Sequence, residues 1–293
     1  MRGTDWLWLW ALSLLWGGSF LFVELALAGL PPLTVVWGRV GLAALILWGV
    51  VRLRRTGGPP REVWPALLVM GLLNNAVPFT LFALAQGQIS GALASVLNAT
   101  TPIFTVLVAH LATVDERLGP ARALGVGLGF SGVVVMLADG GMAGTRLALL
   151  AGLGAALSYG LASVWGRRFR AAGLSPLTTA VGQVTASSLL LLPAWLLVDR
   201  PWALGWPGTG PVLAVLGLAT LSTAVAYLIF FKVLASAGAT AISLVTFLIP
   251  ISAMGLGWLV LGETLEPQQI AGLGLVLLGL GVIDGRLMAE IVR

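Results

Sequence analysis

Apolar residues run through this chain in long stretches, separated by short links rich in Gly, Pro and Arg. Ten stretches reach the length, about 18 residues or more, that crosses a hydrocarbon core about 30 Å thick. They cover roughly 6–26, 32–51, 65–84, 91–111, 119–138, 147–166, 175–198, 210–230, 240–261 and 267–285. Each predicts a helix, because a span in lipid must satisfy its own backbone groups. The links leave no room for a soluble domain. Ala26-Leu27-Ala28 has the form of a signal cleavage site. The apolar run before it is long for a signal peptide, so the first stretch reads as a span.

Composition agrees. The 293 residues are 58% hydrophobic and 9% charged, against about 25% charged in soluble proteins. There is no cysteine, hence no disulfide or thiolate site. The net charge of +5 matters less than its placement. With the N-terminus inside, cytoplasmic links hold 13 Arg and Lys and outer links hold two, Arg146 and Arg200. That asymmetry predicts an even number of spans with both termini cytoplasmic.

The pattern repeats. "AGLPPLTVVWGRV" (28–40) echoes "AGLSPLTTAVGQV" (172–184), placing Pro32 on Pro176 and Arg39 on Gln183. "ALS" recurs at 11–13 and 156–158, and "NAVPFTLF" (75–82) echoes "TAVAYLIF" (223–230). "ERLGPARALGVG" (116–127) echoes "ETLEPQQIAGLG" (263–274). The predicted fold is all-α and polytopic, with five spans in 1–144 and five in 145–293. Five is odd, so the second copy is inverted, a pattern of secondary transporters.

Two five-span halves, the span-two Arg, the prolines of spans four and nine and the Glu-x-Leu-x-Pro-x(4)-Gly signature resemble the drug/metabolite transporter superfamily, EamA branch. Within it the chain is similar to YddG-type amino-acid exporters. The resemblance implies a ten-helix basket around a central cavity. Spans one, three, four, six, eight and nine would line it; five and ten would pack outside, and two would be peripheral.

Matched Pro-interrupted spans point to the site of such transporters. Pro102 and Pro250 lie about eleven and ten residues into spans four and nine. They are the expected helix breaks, because an interior proline lacks a donor and clashes with the preceding turn. Ser95, Asn98, Thr101 and Thr105 accompany the first, and Ser243, Thr246 and Phe247 the second. Other candidates for substrate contact are Trp16, Asn74, Asn75, Phe79, Ser158, Tyr159 and Tyr227. The competing reading makes these groups interhelical glue, worth about 0.6 kcal/mol each. Trp6, Trp8 and Trp10 read as interface anchors. Arg39, the cation within a span, is a functional candidate by default. It pairs with Glu24 as an ion pair or gate, or it attracts a substrate carboxylate; the former is favoured.

No acid interrupts "LSLLWGGS" (12–19), which disfavours proton-driven export of cations through the first span. A neutral, aromatic-walled cavity suits a small neutral or zwitterionic solute, above all an amino acid, by export or facilitated diffusion. Efflux of drugs or nucleosides is the alternative. A membrane enzyme or scaffold is the alternative outside transport. Gly127 to Gly132 fits G-x-G-x-x-G, but inside a span it reads as helix packing. His110 and Asp115 have the spacing of an acyltransferase pair without its context. The Arg167–Arg170 run reads as a topology anchor on lipid, not a nucleic-acid site. No metal or cofactor site is predicted. The expected partners are a small-molecule substrate and the bilayer; the sequence leaves the oligomeric state open, with a monomer compatible. Fifteen Arg against one Lys fits a GC-rich bacterium, so the predicted location is its inner membrane.

Overall fold

The computed structural model describes residues 3–113, 118–137 and 143–284. Among them every regular element is a helix. Seven segments are long and apolar enough to cross a membrane. They are α1 (Gly3–Leu27), α2 (Pro32–Leu53), α3 (Arg61–Gln86), α4 (Gly91–Ala112), α6 (Thr145–Ala171), α7 (Pro176–Asp199) and α8 (Thr209–Gly238). Three further apolar helices are α5 (Pro120–Leu137), α9 (Val245–Leu261) and α10 (Pro267–Asp284). Leu7, Leu45, Leu147, Leu197 and Leu259 lie exposed on these helices. Apolar surface on this scale belongs against lipid, not water.

The helices begin where their caps dictate. α2 starts at Pro32, whose missing N–H is no loss in a first turn. The Asp199 carboxylate, from the end of α7, accepts from Thr34 N at 2.6 Å and Thr34 Oγ1 at 2.8 Å. A carboxylate there answers the partial positive charge of the helix start. Trp37 and Trp195 stack at 3.7 Å and join the same two helices.

The packing pairs are α1 with α8 and α9, α6 with α3 and α4, α2 with α7 and α8, α7 with α3, and α5 with α10. Exchanging each segment for its counterpart five places along the chain leaves this set unchanged. Several pairs meet backbone to backbone. A Cβ on Gly71 would lie 2.6 Å from Gln183 O, and one on Gly17 would lie 2.9 Å from Ala253 N.

Several local irregularities fall where the helices face the interior. α4 breaks at Ala99–Thr100, and Pro102 sits in the first turn of the following piece. Pro250 corrects the expectation of a matched break. It lies inside continuous α9, and the non-helical backbone comes earlier, at Gly238 (φ 80°). α3 and α8 instead carry π-helical turns at matched positions, Leu72–Ala76 and Thr220–Val225. A π turn widens the helix and redirects its side chains, and such turns recur at functional sites.

Candidate functional site

The two π turns flank a cavity of about 720 Å³, within the range of about 300–1,000 Å³ typical of ligand pockets. Its wall takes Trp16 and Phe20 from α1, Asn74 and Phe79 from α3, and Asn98 and Thr101 from α4. Tyr159 comes from α6, Ser222, Thr223 and Tyr227 from α8, and Thr246 from α9. α2 and α7 also contribute, through Arg39 and Gln183. Span two is therefore not peripheral. The charged groups on the described wall are Arg39, Arg167 and Arg170; none is Asp, Glu or Lys.

Tyr227 organises the polar side. Its hydroxyl accepts from Gln183 Nε2 at 3.0 Å and from Asn74 Nδ2 and Asn75 Nδ2 at 3.5 Å. Asn74 Nδ2 also donates to Gln183 Oε1 at 3.1 Å. One phenol thus ties α3, α7 and α8. Tyr227→Phe removes the common acceptor and leaves buried amides unpaired, at about 1–3 kcal/mol. The expected result is roughly tenfold weaker apparent substrate affinity with folding retained, read from KM in proteoliposomes and the elution profile of the purified variant.

Of the residues expected at the site, Trp16, Asn74, Phe79, Asn98, Thr101, Tyr159, Tyr227 and Thr246 stand on the wall. Asn75 is fully buried behind it, on Tyr227. Ser95 and Ser158 are off the wall. Their hydroxyls donate to Ala92 O and Leu73 O at 2.6 and 2.7 Å, as hydroxyls do in helix packing. The Ser243 side chain lies outside the described residues. Glu24 and Arg39 form no ion pair. The Arg39 Nε donates to Thr223 Oγ1 at 3.0 Å and its guanidinium lies 3.7 Å over the Phe79 ring. His110 Nδ1 accepts from Leu118 N; Asp115 lies outside the described residues. Gln183 and Ser222 were not among the expected site residues. Gln183 could have been found, as the repeat counterpart of Arg39. Ser222 sits in a run, "TLST", whose hydroxyls the sequence does not rank.

Glu24 is not on the wall but lies next to its Phe20 and Gln86, at one end. Its Oε2 accepts from Gly91 N at 2.9 Å, and Glu263 Oε1 and Oε2 accept from Gly91 N and Ala92 N at 3.0 and 3.1 Å. Both carboxylates answer the start of α4, where free N–H groups and the helix dipole attract negative charge. Gln86 Nε2 donates to Phe20 O beside them. At the other end the wall extends to Gly166 and Arg170 at the end of α6, Leu174 in the following link and Pro176 at the start of α7.

Residues 6–138 and 146–283 each match the EamA-like transporter family. The chain belongs to the EamA-like transporter family. Relatives of this EamA-family chain span nearly its whole length. The uncharacterized transporter YvbV of Bacillus subtilis (strain 168) is 27% identical, over 95% of this chain and 91% of its own. The uncharacterized inner membrane transporter YedA of Escherichia coli (strain K12) is 25% identical, over 92% and 86%. The S-adenosylmethionine/S-adenosylhomocysteine transporter of Chlamydia trachomatis serovar L2 is 25% identical over the same shares. A solved crystal structure aligns with a TM-score of 0.67 at 20% identity, over 97% of this chain and 98% of that one; this likeness concerns the fold. The EamA-family chain is thus a multi-pass membrane transporter of small molecules.

Proposed function

We propose that this transporter moves small neutral or zwitterionic metabolites, amino acids foremost, by alternating access at a midplane site between two inverted repeats. Export and facilitated diffusion are both compatible with such a cycle. In this reading ten helices form a 5+5 repeat, residues 1–144 and 145–293, with both termini cytoplasmic in a bacterial inner membrane. The family matches to 6–138 and 146–283 support the repeat, as does the exchange-symmetric packing of the helices. The arginine-rich links support the orientation. The cavity, which reaches the link between α6 and α7, then opens to the cytoplasm, and the Glu24–Glu263–Gly91 contacts close the outer face.

The observation that carries the substrate class is the wall itself. It offers amides, hydroxyls and aromatic faces, and its described residues include no carboxylate or lysine. A cation finds no counter-charge there. The volume admits more than an amino acid, so drug or nucleoside efflux is the second reading. A relative named for S-adenosylmethionine adds that compound to the probes.

The test is uptake into proteoliposomes of labelled Met, Thr, Phe, S-adenosylmethionine, a nucleoside and a cationic dye, with and without a pH gradient. Amino-acid flux that does not need the gradient is the expected result. Dye movement driven by the gradient, with amino acids inert, would sink the reading.

A further inference from the structure

Arg39 is a charge that the fold buries and leaves half used. It is only 8% exposed, on the cavity wall in a helix that crosses the membrane. Its Nε is bound to Thr223 and its face lies on Phe79. Those two contacts fix the position and plane of the guanidinium. Among the described residues its Nη1 and Nη2 groups take no hydrogen bond or ion pair, and no Asp or Glu stands on the described wall. Burying a charge without a counter-charge is costly, and intramembrane cations of this kind mark substrate paths. The residue before Thr223 adds a second signal. Ser222 is 1% exposed, lines the cavity, and its hydroxyl has no partner.

We propose that Arg39 and Ser222 form the carboxylate subsite of the cavity, so that every good substrate carries a carboxylate on an apolar or aromatic body. The proposal rests on the transport reading above and narrows it. The two free Nη groups present the parallel N–H fork that matches a carboxylate end-on. The Ser222 hydroxyl supplies a further donor. Neutral nucleosides and amino-acid amides leave Arg39 uncompensated and are rejected.

The experiment is proteoliposome uptake of labelled phenylalanine, competed by unlabelled phenylalanine, 3-phenylpropionate, phenylalaninamide and phenethylamine. The two carboxylates are expected to compete at least tenfold better than the amide and the amine. The wild-type series needs no variant and so does not depend on how a mutant folds. Arg39→Lys keeps the preference at lower affinity. Arg39→Gln, checked by its elution profile, flattens it, which a purely structural role would not do. Phenylalanine uptake competed equally by acid and amide overturns the subsite and leaves the transport reading standing. Movement of phenethylamine, with phenylalanine and phenylpropionate inert, overturns both.

Discussion

Replacing Glu263 by Ala is expected to open the outer face of the cavity and to slow transport at least tenfold. Glu263 follows α9, yet both its carboxylate oxygens accept from the first N–H groups of α4, at 3.0 and 3.1 Å. Hydrogen bonds to a charged acceptor contribute about 1.5–3 kcal/mol each. Losing the one to Ala92 N–H outright shifts the balance between closed and open by a factor of roughly 10 to 10². Glu24 still reaches Gly91 N–H, but Ala92 N–H loses its partner. A cycle that cannot close its outer face stalls. Glu263→Gln keeps an acceptor oxygen and falls between the wild type and Ala. The natural chain has no cysteine, so one introduced thiol reports directly. Val23 is buried on the cavity wall beside Phe20. Val23→Cys should resist an impermeant maleimide added to cells, and should react once Glu263→Ala is added. Unchanged labelling together with unchanged flux would refute the latch.

The second large effect is on stability alone. α5 and α10 pack through glycine. A Cβ on Gly125 would lie 2.6 Å from Gly279 O, and one on Gly132 would lie 2.6 Å from Gly272 O and 3.0 Å from Val276 N. These neighbours are backbone atoms, which cannot turn aside as a side chain can. Overpacking typically costs about 1–3 kcal/mol per site. Gly125→Val with Gly132→Val should therefore lower the Tm in detergent by on the order of 5–10 °C. The described cavity wall takes no residue from α5 or α10, so transport per folded molecule should hold. Gly127→Val is the control, because a Cβ there meets nothing within 4 Å. A Tm fall from Gly127→Val equal to that of the pair would contradict the seam.

That seam separates what was legible in the chain from what was not. The G-x-G-x-x-G run reads correctly as helix packing, but Gly125, Gly129 and Gly132 make the contact and Gly127 does not. Small residues advertise close approach; which face is approached depends on the neighbour. The same division holds for the prolines. Pro102 announces the break in α4, because an interior helix cannot easily absorb it. Pro250 carries the same local cost and yet sits in continuous helix.

The sequence by itself determined the apolar segments, the family and part of the cavity's aromatic and amide wall. Those follow from local quantities: hydropathy over one span, the period of one helix, and the order of motifs along the chain. Only the tertiary structure decided that Arg39 leaves Glu24 for Thr223 and the cavity, and that Glu24 joins Glu263 at the start of α4. It also turned Gln183 of α7 onto Tyr227 of α8, and turned Ser95 and Ser158 away from the cavity onto backbone carbonyls. A buried polar group takes whichever partner the packing brings within about 3 Å. In a chain whose helices are nearly all apolar, hydrophobicity says little about which helix that partner is on.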